Sequence, residues 1–226
     1  MPQMELPHEV QVWTVGLDVP AERVGALGGV LSEDELLRAA GFKVEDARRR
    51  FVVTRAALRT LLGQHLDADP AALRFGTTGN GKPRLDPPSL LQFNVSHSGD
   101  VGLIAITKET DVGVDVEQIR PRDHIEGIAR RVFTEAERDA IDGETAFYRH
   151  WVAKEAFVKA TGRGVSSVKS FEVLLDAPDG ARLVHVGGDY AEARRWTLTP
   201  IDVPPGYAAA LVARGAAKVG QPRAFE

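Results

Sequence analysis

Hydrophobic residues recur at the spacing of a strand in some stretches and at the spacing of a helix in others. The same order of strand-like and helix-like stretches occurs twice along the chain. Alternation predicts a first strand in VQVWTVGLDV, and helical spacing predicts long helices in VEDARRRFVVTRAALRTLLGQHL and AFYRHWVAKEAFVKATGRG. Each long helix precedes a glycine turn and strand patterns that end in a hairpin, around SGD in the first half and PPG in the second. This indicates a pseudo-repeat with a boundary near residues 108–112, although the pattern alone fits two unrelated α+β halves equally well.

The spacing of polar residues marks where several helices begin and end. Ser32 and Glu35, and later Thr134 and Glu137, have the spacing of a capping box, which predicts a helix start at each pair. The glycines of ATGRG predict the end of the second long helix. The last stretch, GAAKVGQPRAFE, follows neither period, and we expect it to be loosely ordered.

The composition is that of a globular protein without thiol chemistry. Hydrophobic residues make up 43% and charged residues 27% of the 226 residues, which is enough for a sizeable core. The absence of cysteine excludes disulfides, thiolate metal sites and a cysteine nucleophile. A net charge of −4 gives no overall attraction to nucleic acid or to an anionic membrane. We see neither a signal peptide in MPQMELPHEV nor an apolar run long enough to span a membrane, and therefore expect a cytoplasmic protein.

The stretch VGVDVEQI places two carboxylates on one face of a predicted strand. Strand side chains alternate between faces, so Asp115 and Glu117 point one way while Val114 and Val116 point the other. Two carboxylates on one rigid face attract a hard cation such as Mg²⁺, which usually shares its ligands with substrate phosphates. A strand with a solvated outer face is the alternative for this pattern alone.

The second long helix places Trp151, Glu155 and Lys159 in one row, because they follow one another at intervals of four residues. A surface ion pair of Glu155 with Lys159 is one explanation, and it would contribute only about 0.3–0.5 kcal/mol. The tryptophan suggests that the row is partly buried, and a buried carboxylate needs a cation. The helix alone leaves both explanations open.

Several other stretches offer contacts for phosphate. His97 lies next to a turn hydroxyl in FNVSHSGD, Lys82 follows two glycines in TGNGKP, and ARRRF brings three guanidinium groups together. An ordinary turn, an ordinary hairpin and a solvated helix face are the respective alternatives. Ser96 lacks the G-x-S-x-G context of a hydrolase nucleophile, and the histidines show no zinc-binding pattern.

Five motifs follow one another in an informative order: GKP, FNVSHSGD, GVDVE, FTEAE and WVAKEAFVKATGRG, across residues 81–164. In this order they resemble the 4'-phosphopantetheinyl transferases of the longer, surfactin-synthetase-activating type. The resemblance covers most of the chain, and GVDVE followed by WVAKEAFVK is its specific part. It implies an α+β protein of two similar α/β halves related by pseudo-twofold symmetry. We place these halves at residues 1–110 and 111–226, with the active site at their interface.

The resemblance also implies a reaction, in which the 4'-phosphopantetheine arm of coenzyme A moves to a serine of an apo carrier protein and adenosine 3',5'-bisphosphate leaves. It implies that Asp115, Glu117 and Glu155 bind Mg²⁺, with Mn²⁺ as an alternative. Glu155, or a water that it orients, would be the base and Lys159 would stabilise charge on phosphate. Glu137 would be an acidic residue near the metal, although its capping position is a competing explanation. The residues implied to contact coenzyme A are Arg49, Lys82, Ser96, His97, Lys154 and Lys159.

The second substrate would be an acyl or peptidyl carrier protein, and carrier domains of this kind are acidic. The segment IRPRDHIEGIARRVF offers Arg120, Arg122, Arg130 and Arg131 with isoleucines between them, and we predict that it is part of the docking surface. A solvated helix is the alternative. A noncatalytic coenzyme A-binding protein and a Mg²⁺-dependent phosphohydrolase are the competing functions. The internal repeat predicts a monomer, without nucleic-acid or membrane partners.

Overall fold

The computed structural model describes residues 8–123 and 125–226 and contains two halves of the same construction. The elements of the first half are β1 (His8–Gly16), α1 (Ala21–Gly28), α2 (Glu33–Ala40), α3 (Glu45–Leu66), a 3-10 turn (Pro70–Ala72), β2 (Arg74–Thr77), β3 (Pro83–Asp86), β4 (Leu91–Ser98) and β5 (Val101–Lys108). Those that follow are β6 (Val112–Gln118), α4 (Ile125–Val132), α5 (Glu135–Asp139), α6 (Glu144–Thr161), a 3-10 turn (Val165–Ser170), β7 (Phe171–Leu174), β8 (Arg182–Val186), α7 (Tyr190–Ala193), β9 (Trp196–Pro200), β10 (Tyr207–Arg214), β11 (Ala217–Val219) and β12 (Arg223–Phe225).

The two halves share one sheet order, which confirms the predicted repeat. Antiparallel strands follow the order β1-β5-β4 in the first half and β6-β10-β9 in the second. A long helix, α3 or α6, precedes a two-stranded hairpin, β2–β3 or β7–β8, in each half. The protein is therefore of the α+β class, with two similar α/β halves, and a chance likeness of the two patterns is excluded.

The hydrophobic core has three parts that follow from strand alternation. One cluster joins α3 to the first sheet, and another joins α6 to the second sheet. A third cluster lies between the halves and contains residues of β1, β5, β6 and β10, among them Val12, Leu103, Val114 and Leu211. Because Val112, Val114 and Val116 face this cluster, the residues between them on β6 face α6.

The C-terminal tail is ordered, and the expectation that it would be loose was wrong. Strands β11 and β12 pair in parallel with β1, and Phe225 packs against the core of the first half. The free edge of β1 offers backbone groups that need hydrogen-bond partners, so main-chain pairing orders a segment whose side chains carry no periodic pattern. The tail thereby links the last part of the chain to the first sheet.

Both predicted capping boxes are present, at Ser32–Glu35 and at Thr134–Glu137. Helix α6 ends at Gly162, which adopts a left-handed conformation, as the glycines of ATGRG predicted. In the described parts of the chain, no helix is both long and apolar enough to cross a membrane.

Candidate active site

Helix α6 and strand β6 approach each other unusually closely at Gly113. A Cβ atom at this position would overlap the carbonyl oxygen of Ala156 and the amide nitrogen of Ala160. Only glycine can therefore lie here, and the strand rests directly on the helix backbone. This contact brings the carboxylates of β6 to the charged row of α6.

The row of Trp151, Glu155 and Lys159 is the half-buried stripe of an otherwise buried helix segment. The residues between them, 152–154 and 156–158, are all buried. Trp151 packs against the core of the second half, and Lys159 at the other end of the row lines a pocket. Glu155 and Lys159 do not form an ion pair, because Lys159 pairs with Asp115 instead.

A ladder of polar side chains joins β4 of the first half to β6 of the second. The backbone N–H groups of Val114, Val116 and Gln118 donate to the side-chain oxygens of Asn94, Ser96 and Ser98, at 2.9, 3.4 and 3.1 Å. Each pair is separated by 20 residues in the sequence, so the ladder keeps one register along both strands. We call these three side chains the polar ladder.

Asp115 lies at the centre of the site and is buried, with 4% exposure. Its Oδ1 accepts hydrogen bonds from the hydroxyl of Ser96 at 2.8 Å and from the ammonium of Lys159 at 2.7 Å. Lys159 also donates to Ser96 Oγ at 2.8 Å, so these three groups form a closed triangle. The hydroxyl of Ser96, which was predicted to contact coenzyme A, is occupied by these bonds in the structure.

Glu117 and Glu155 complete a group of three carboxylates. Glu117 Oε2 accepts a hydrogen bond of 2.7 Å from the hydroxyl of Ser98. Burial raises the pKa of Glu155, and the nearby charges of Asp115 and Glu117 raise it further, while Lys159 acts in the opposite direction. The three side chains that the sequence predicted to lie together are thus close enough to repel one another.

The donor set suits a hard divalent cation. Oδ2 of Asp115 and Oε1 of Glu155 are both buried, and neither has a hydrogen-bond partner in the described residues. Buried oxygens of this kind need a donor or a cation. Across residues 8–123 and 125–226, no three His, Asp or Glu side chains already stand in a metal-binding arrangement. The carboxylates are therefore neighbours that would have to converge further on a cation.

Lys82 and His97 lie near Lys159. The ammonium of Lys82 donates to the backbone carbonyls of Val112 at 2.9 Å and Ala160 at 3.1 Å, and burial lowers its pKa. His97 is exposed at the surface. Desolvation of its ring by surrounding protein lowers its pKa, and the positive charges of Lys159 and Arg50 lower it further.

Two pockets near Lys159 and the polar ladder adjoin at Pro83, Asn94 and Val95. One, of about 290 Å³, is lined by the β2–β3 turn with Lys82 and by the end of α6 with Lys159. The other, of about 230 Å³, lies between α3 and β4 and reaches His97, and its walls are mainly apolar. The first pocket therefore lies between the halves, and the second extends from it into the first half.

The arginines at the start of α3 are engaged by carboxylates. Arg49 lies 3.2 Å from Asp18 and 3.3 Å from Asp46, and Arg50 lies 3.1 Å from Asp100. All three aspartates are at least half exposed, so these pairs contribute little to stability and can exchange for another anion.

Glu137 and Lys154 form a separate, buried ion pair. The ammonium of Lys154 donates to both oxygens of Glu137 at 2.7 Å and to the carbonyl of Phe171 at 2.8 Å. Glu137 also accepts from the backbone N–H groups of Thr134 and Val173. The structure thus brings these two predicted site residues to each other rather than to Asp115, where they tie α5, α6 and β7 together.

The segment predicted to dock a carrier protein runs through residues 119–133, of which residue 124 lies outside the described residues. Arg130 is 72% exposed and lies 3.6 Å from Glu126, and Arg131 is exposed. Ile125 and Ile128 pack against the core of the second half. The surface here is therefore basic rather than apolar.

Sequence reasoning missed Gly113, Asn94 and Ser98 as residues that shape the site. Asn94, Ser96 and Ser98 occupy every second position of FNVSHS, and this period-two run of small polar residues was the available signal. Gly113 stands inside the quoted motif GVDVE, where a glycine in a buried strand indicates close approach of another backbone.

Comparison with known proteins accounts for most of the chain. A family model described as the 4'-phosphopantetheinyl transferase superfamily matches residues 111–212, and one described as 4'-phosphopantetheinyl transferase, N-terminal, matches residues 21–109. The 4'-phosphopantetheinyl transferase HetI of Nostoc is 35% identical over 187 residues, which cover 79% of each chain. The 4'-phosphopantetheinyl transferase Sfp of Bacillus subtilis is 31% identical over 202 residues, which cover 81% of this chain and 87% of Sfp. With both halves matched, and with FNVSHSGD, GVDVE and WVAKEAFVK in contact around Asp115 and Glu117, the chain belongs to the 4'-phosphopantetheinyl transferases, a family of transferase enzymes.

Proposed function

We propose that this enzyme transfers the 4'-phosphopantetheine arm of coenzyme A to a serine of an apo acyl or peptidyl carrier protein. The transfer depends on Mg²⁺ and releases adenosine 3',5'-bisphosphate. The observation that supports this most strongly is the group of three carboxylates beside Lys159, two of whose buried oxygens have no hydrogen-bond partner among the described residues. Asp115, Glu117 and Glu155 would hold the cation, which supplies neutralisation of the pyrophosphate charge.

The residues around the carboxylates provide the rest of the chemistry. The carrier serine Oγ forms a bond to the phosphorus that bears the pantetheine arm, and the pyrophosphate P–O bond breaks. Glu155 takes the serine proton, directly or through a water that it orients, since it is the carboxylate of the group that lies on α6. Lys159 turns from Asp115 toward the leaving phosphate, which it can do because its side chain is 28% exposed.

The nucleotide part of coenzyme A would lie in the cleft formed by the two adjoining pockets. Lys82 and His97 line these pockets with positive or protonatable groups, and Arg49 would reach the nucleotide from the start of α3. Ser96 would act through its bond to Asp115. The buried pair of Lys154 with Glu137 would support α6 and would contact neither coenzyme A nor the metal.

We further propose that the carrier protein docks against the basic surface at Arg130 and Arg131. Neither arginine contributes to a core, and carrier domains present an acidic face. Exchange of both for glutamate should raise the KM for the carrier and leave the KM for coenzyme A unchanged. An unchanged carrier KM would reject this surface. Because one chain contains both halves of the site, we propose that the enzyme acts as a monomer.

The test of the function is a mass measurement. Enzyme, coenzyme A, Mg²⁺ and a panel of apo carriers are incubated, and each carrier is examined for the added phosphopantetheine. We expect modification of at least one carrier, loss of modification with a chelator, and strong loss with Glu155→Gln. Bound coenzyme A without modification would indicate a noncatalytic binding protein, and cleavage of coenzyme A without a carrier would indicate a hydrolase.

A further inference from the structure

Ser98 occupies the last position of the polar ladder, next to the outermost carboxylate of the site. Its hydroxyl donates to Glu117 Oε2 at 2.7 Å and accepts from the backbone N–H of Gln118 at 3.1 Å. An amide N–H can only donate, so the direction of both bonds is fixed and the serine proton must point to Glu117. No other group in the described parts of the chain donates a hydrogen bond to this carboxylate.

The turn that follows Ser98 lies against residues of β6 and β10. A Cβ atom at Gly99 would lie 2.5 Å from the hydroxyl oxygen of Tyr207 and 2.6 Å from Oε1 of Gln118, so the turn packs against the ends of these two side chains. The backbone N–H of Asp100 also donates to the Tyr207 hydroxyl at 3.1 Å. The first half of the protein thus places a hydroxyl beside a carboxylate of the second half.

Asp115 and Glu117 are held by different means. Asp115 is buried and accepts hydrogen bonds from both Lys159 and Ser96, whereas Glu117 is half-buried and, within the described ranges, accepts one from Ser98 alone. A half-buried glutamate with three rotatable bonds turns toward water unless something holds it. Ser98 donates a hydrogen bond to one oxygen of Glu117, and the other oxygen has no hydrogen bond in the described residues.

We propose that Ser98 is a positioning residue, which holds the carboxylate of Glu117 toward the divalent cation. This inference rests on the metal role of the three carboxylates in the proposed function. The polar ladder would then have two functions: it joins the two halves, and its last residue, Ser98, sets the direction of a cation ligand. Hydrogen bonds that orient a ligand typically change metal affinity by about 10- to 100-fold when they are removed.

The test uses Mn²⁺ as the probe, with free ion measured by electron paramagnetic resonance in the presence of the full chain and coenzyme A. Ser98→Ala and Ser98→Val should raise the Kd for Mn²⁺ about tenfold. Ser98→Thr keeps the hydroxyl and should bind close to the wild-type value. Threonine and valine have nearly the same shape, so this pair isolates the hydroxyl even if the alanine variant fails to fold.

Thr107→Val is the matched control. It removes a buried hydroxyl of the same sheet, which donates to the carbonyl of Glu9 at 2.9 Å and contacts no carboxylate of the site. Its Mn²⁺ affinity should equal that of the wild type. In transfer assays, Ser98→Ala should raise the apparent KM for Mg²⁺, and its kcat should return toward the wild-type value at saturating Mg²⁺.

Wild-type affinity in the alanine and valine variants, or equal weakness of the threonine and valine variants, would overturn the inference. A wild-type chain that binds no Mn²⁺ would overturn it as well. A different outcome separates the two proposals. If the wild type binds Mn²⁺, Asp115→Asn abolishes this binding and the wild type modifies no carrier, the proposed transfer is wrong. The role of Ser98 in cation binding would still hold.

Discussion

The ammonium of Lys159 lies 2.7 Å from Oδ1 of Asp115, although 44 residues separate them in the sequence. This contact joins the charged row of α6 to the carboxylates of β6. It also balances a buried aspartate without a metal ion. Since a cation would take over that task, Lys159 is then available for phosphate, and the two states of this lysine are central to the proposed mechanism.

Replacement of Lys159 should slow the transfer reaction without weakening metal binding. In Lys159→Met we expect kcat/KM for coenzyme A to fall about 100-fold, because a cation facing the phosphate is lost. The affinity for Mn²⁺ should not fall, because the lysine no longer competes for Asp115. Steady-state kinetics and Mn²⁺ titration measure the two quantities. Loss of Mn²⁺ affinity with unchanged transfer would contradict the assigned role.

Gly113 should tolerate no side chain. In Gly113→Ala the new Cβ must push α6 away from β6, and we expect the free energy of unfolding to drop by about 3 kcal/mol or more. Gly25→Ala is the control, because a Cβ there meets nothing within 4 Å and alanine favours the helix by about 0.5–1 kcal/mol. Urea denaturation compares both variants. Equal stability of the two variants would refute the close-packing argument.

The sequence predicted those parts of the site that depend on strand and helix periodicity. The alternation in VGVDVE and the spacing of Trp151, Glu155 and Lys159 predicted both the elements and the faces, and the structure brings these faces together. The pairing of Lys159 with Asp115, rather than with Glu155, could not be predicted, because it depends on how closely β6 lies on α6.

Contacts between the halves could not be predicted from the sequence either. The polar ladder needs the register of β4 against β6, and the order of the tail needs the free edge of β1. Both are tertiary relationships that a local pattern does not contain. Glu137 shows the opposite case, since its capping-box spacing correctly indicated a structural environment.

The buried pair of Glu137 with Lys154 should prove structural. Lys154→Met leaves a buried carboxylate without its cation and should lower the free energy of unfolding by about 3–5 kcal/mol. The double variant Lys154→Met, Glu137→Gln removes both charges and should recover part of that loss. Urea denaturation and the mass measurement test this. A double variant that folds but transfers nothing would show that the pair takes part in catalysis.

Glu35 should make stability depend on pH. Burial alone would raise its pKa, but hydrogen bonds from Arg59 and Arg55 outweigh burial and lower it. A lowered folded-state pKa means that Glu35 stabilises the protein above its unfolded value of 4.5 and that this contribution is lost as pH falls through the folded pKa. Glu35→Gln should therefore reduce the acid dependence of the melting temperature. Glu33→Gln, an exposed change in the same turn, should retain it.

The central claim is that Asp115, Glu117 and Glu155 converge on one divalent cation that faces the pyrophosphate of coenzyme A. Anomalous diffraction from crystals grown with Mn²⁺ and coenzyme A tests this most directly. The account predicts one manganese peak within coordination distance of all three carboxylates and of the pyrophosphate, with Lys159 turned away from Asp115. A peak bound elsewhere, or carboxylates that stay apart around a bound coenzyme A, would contradict it.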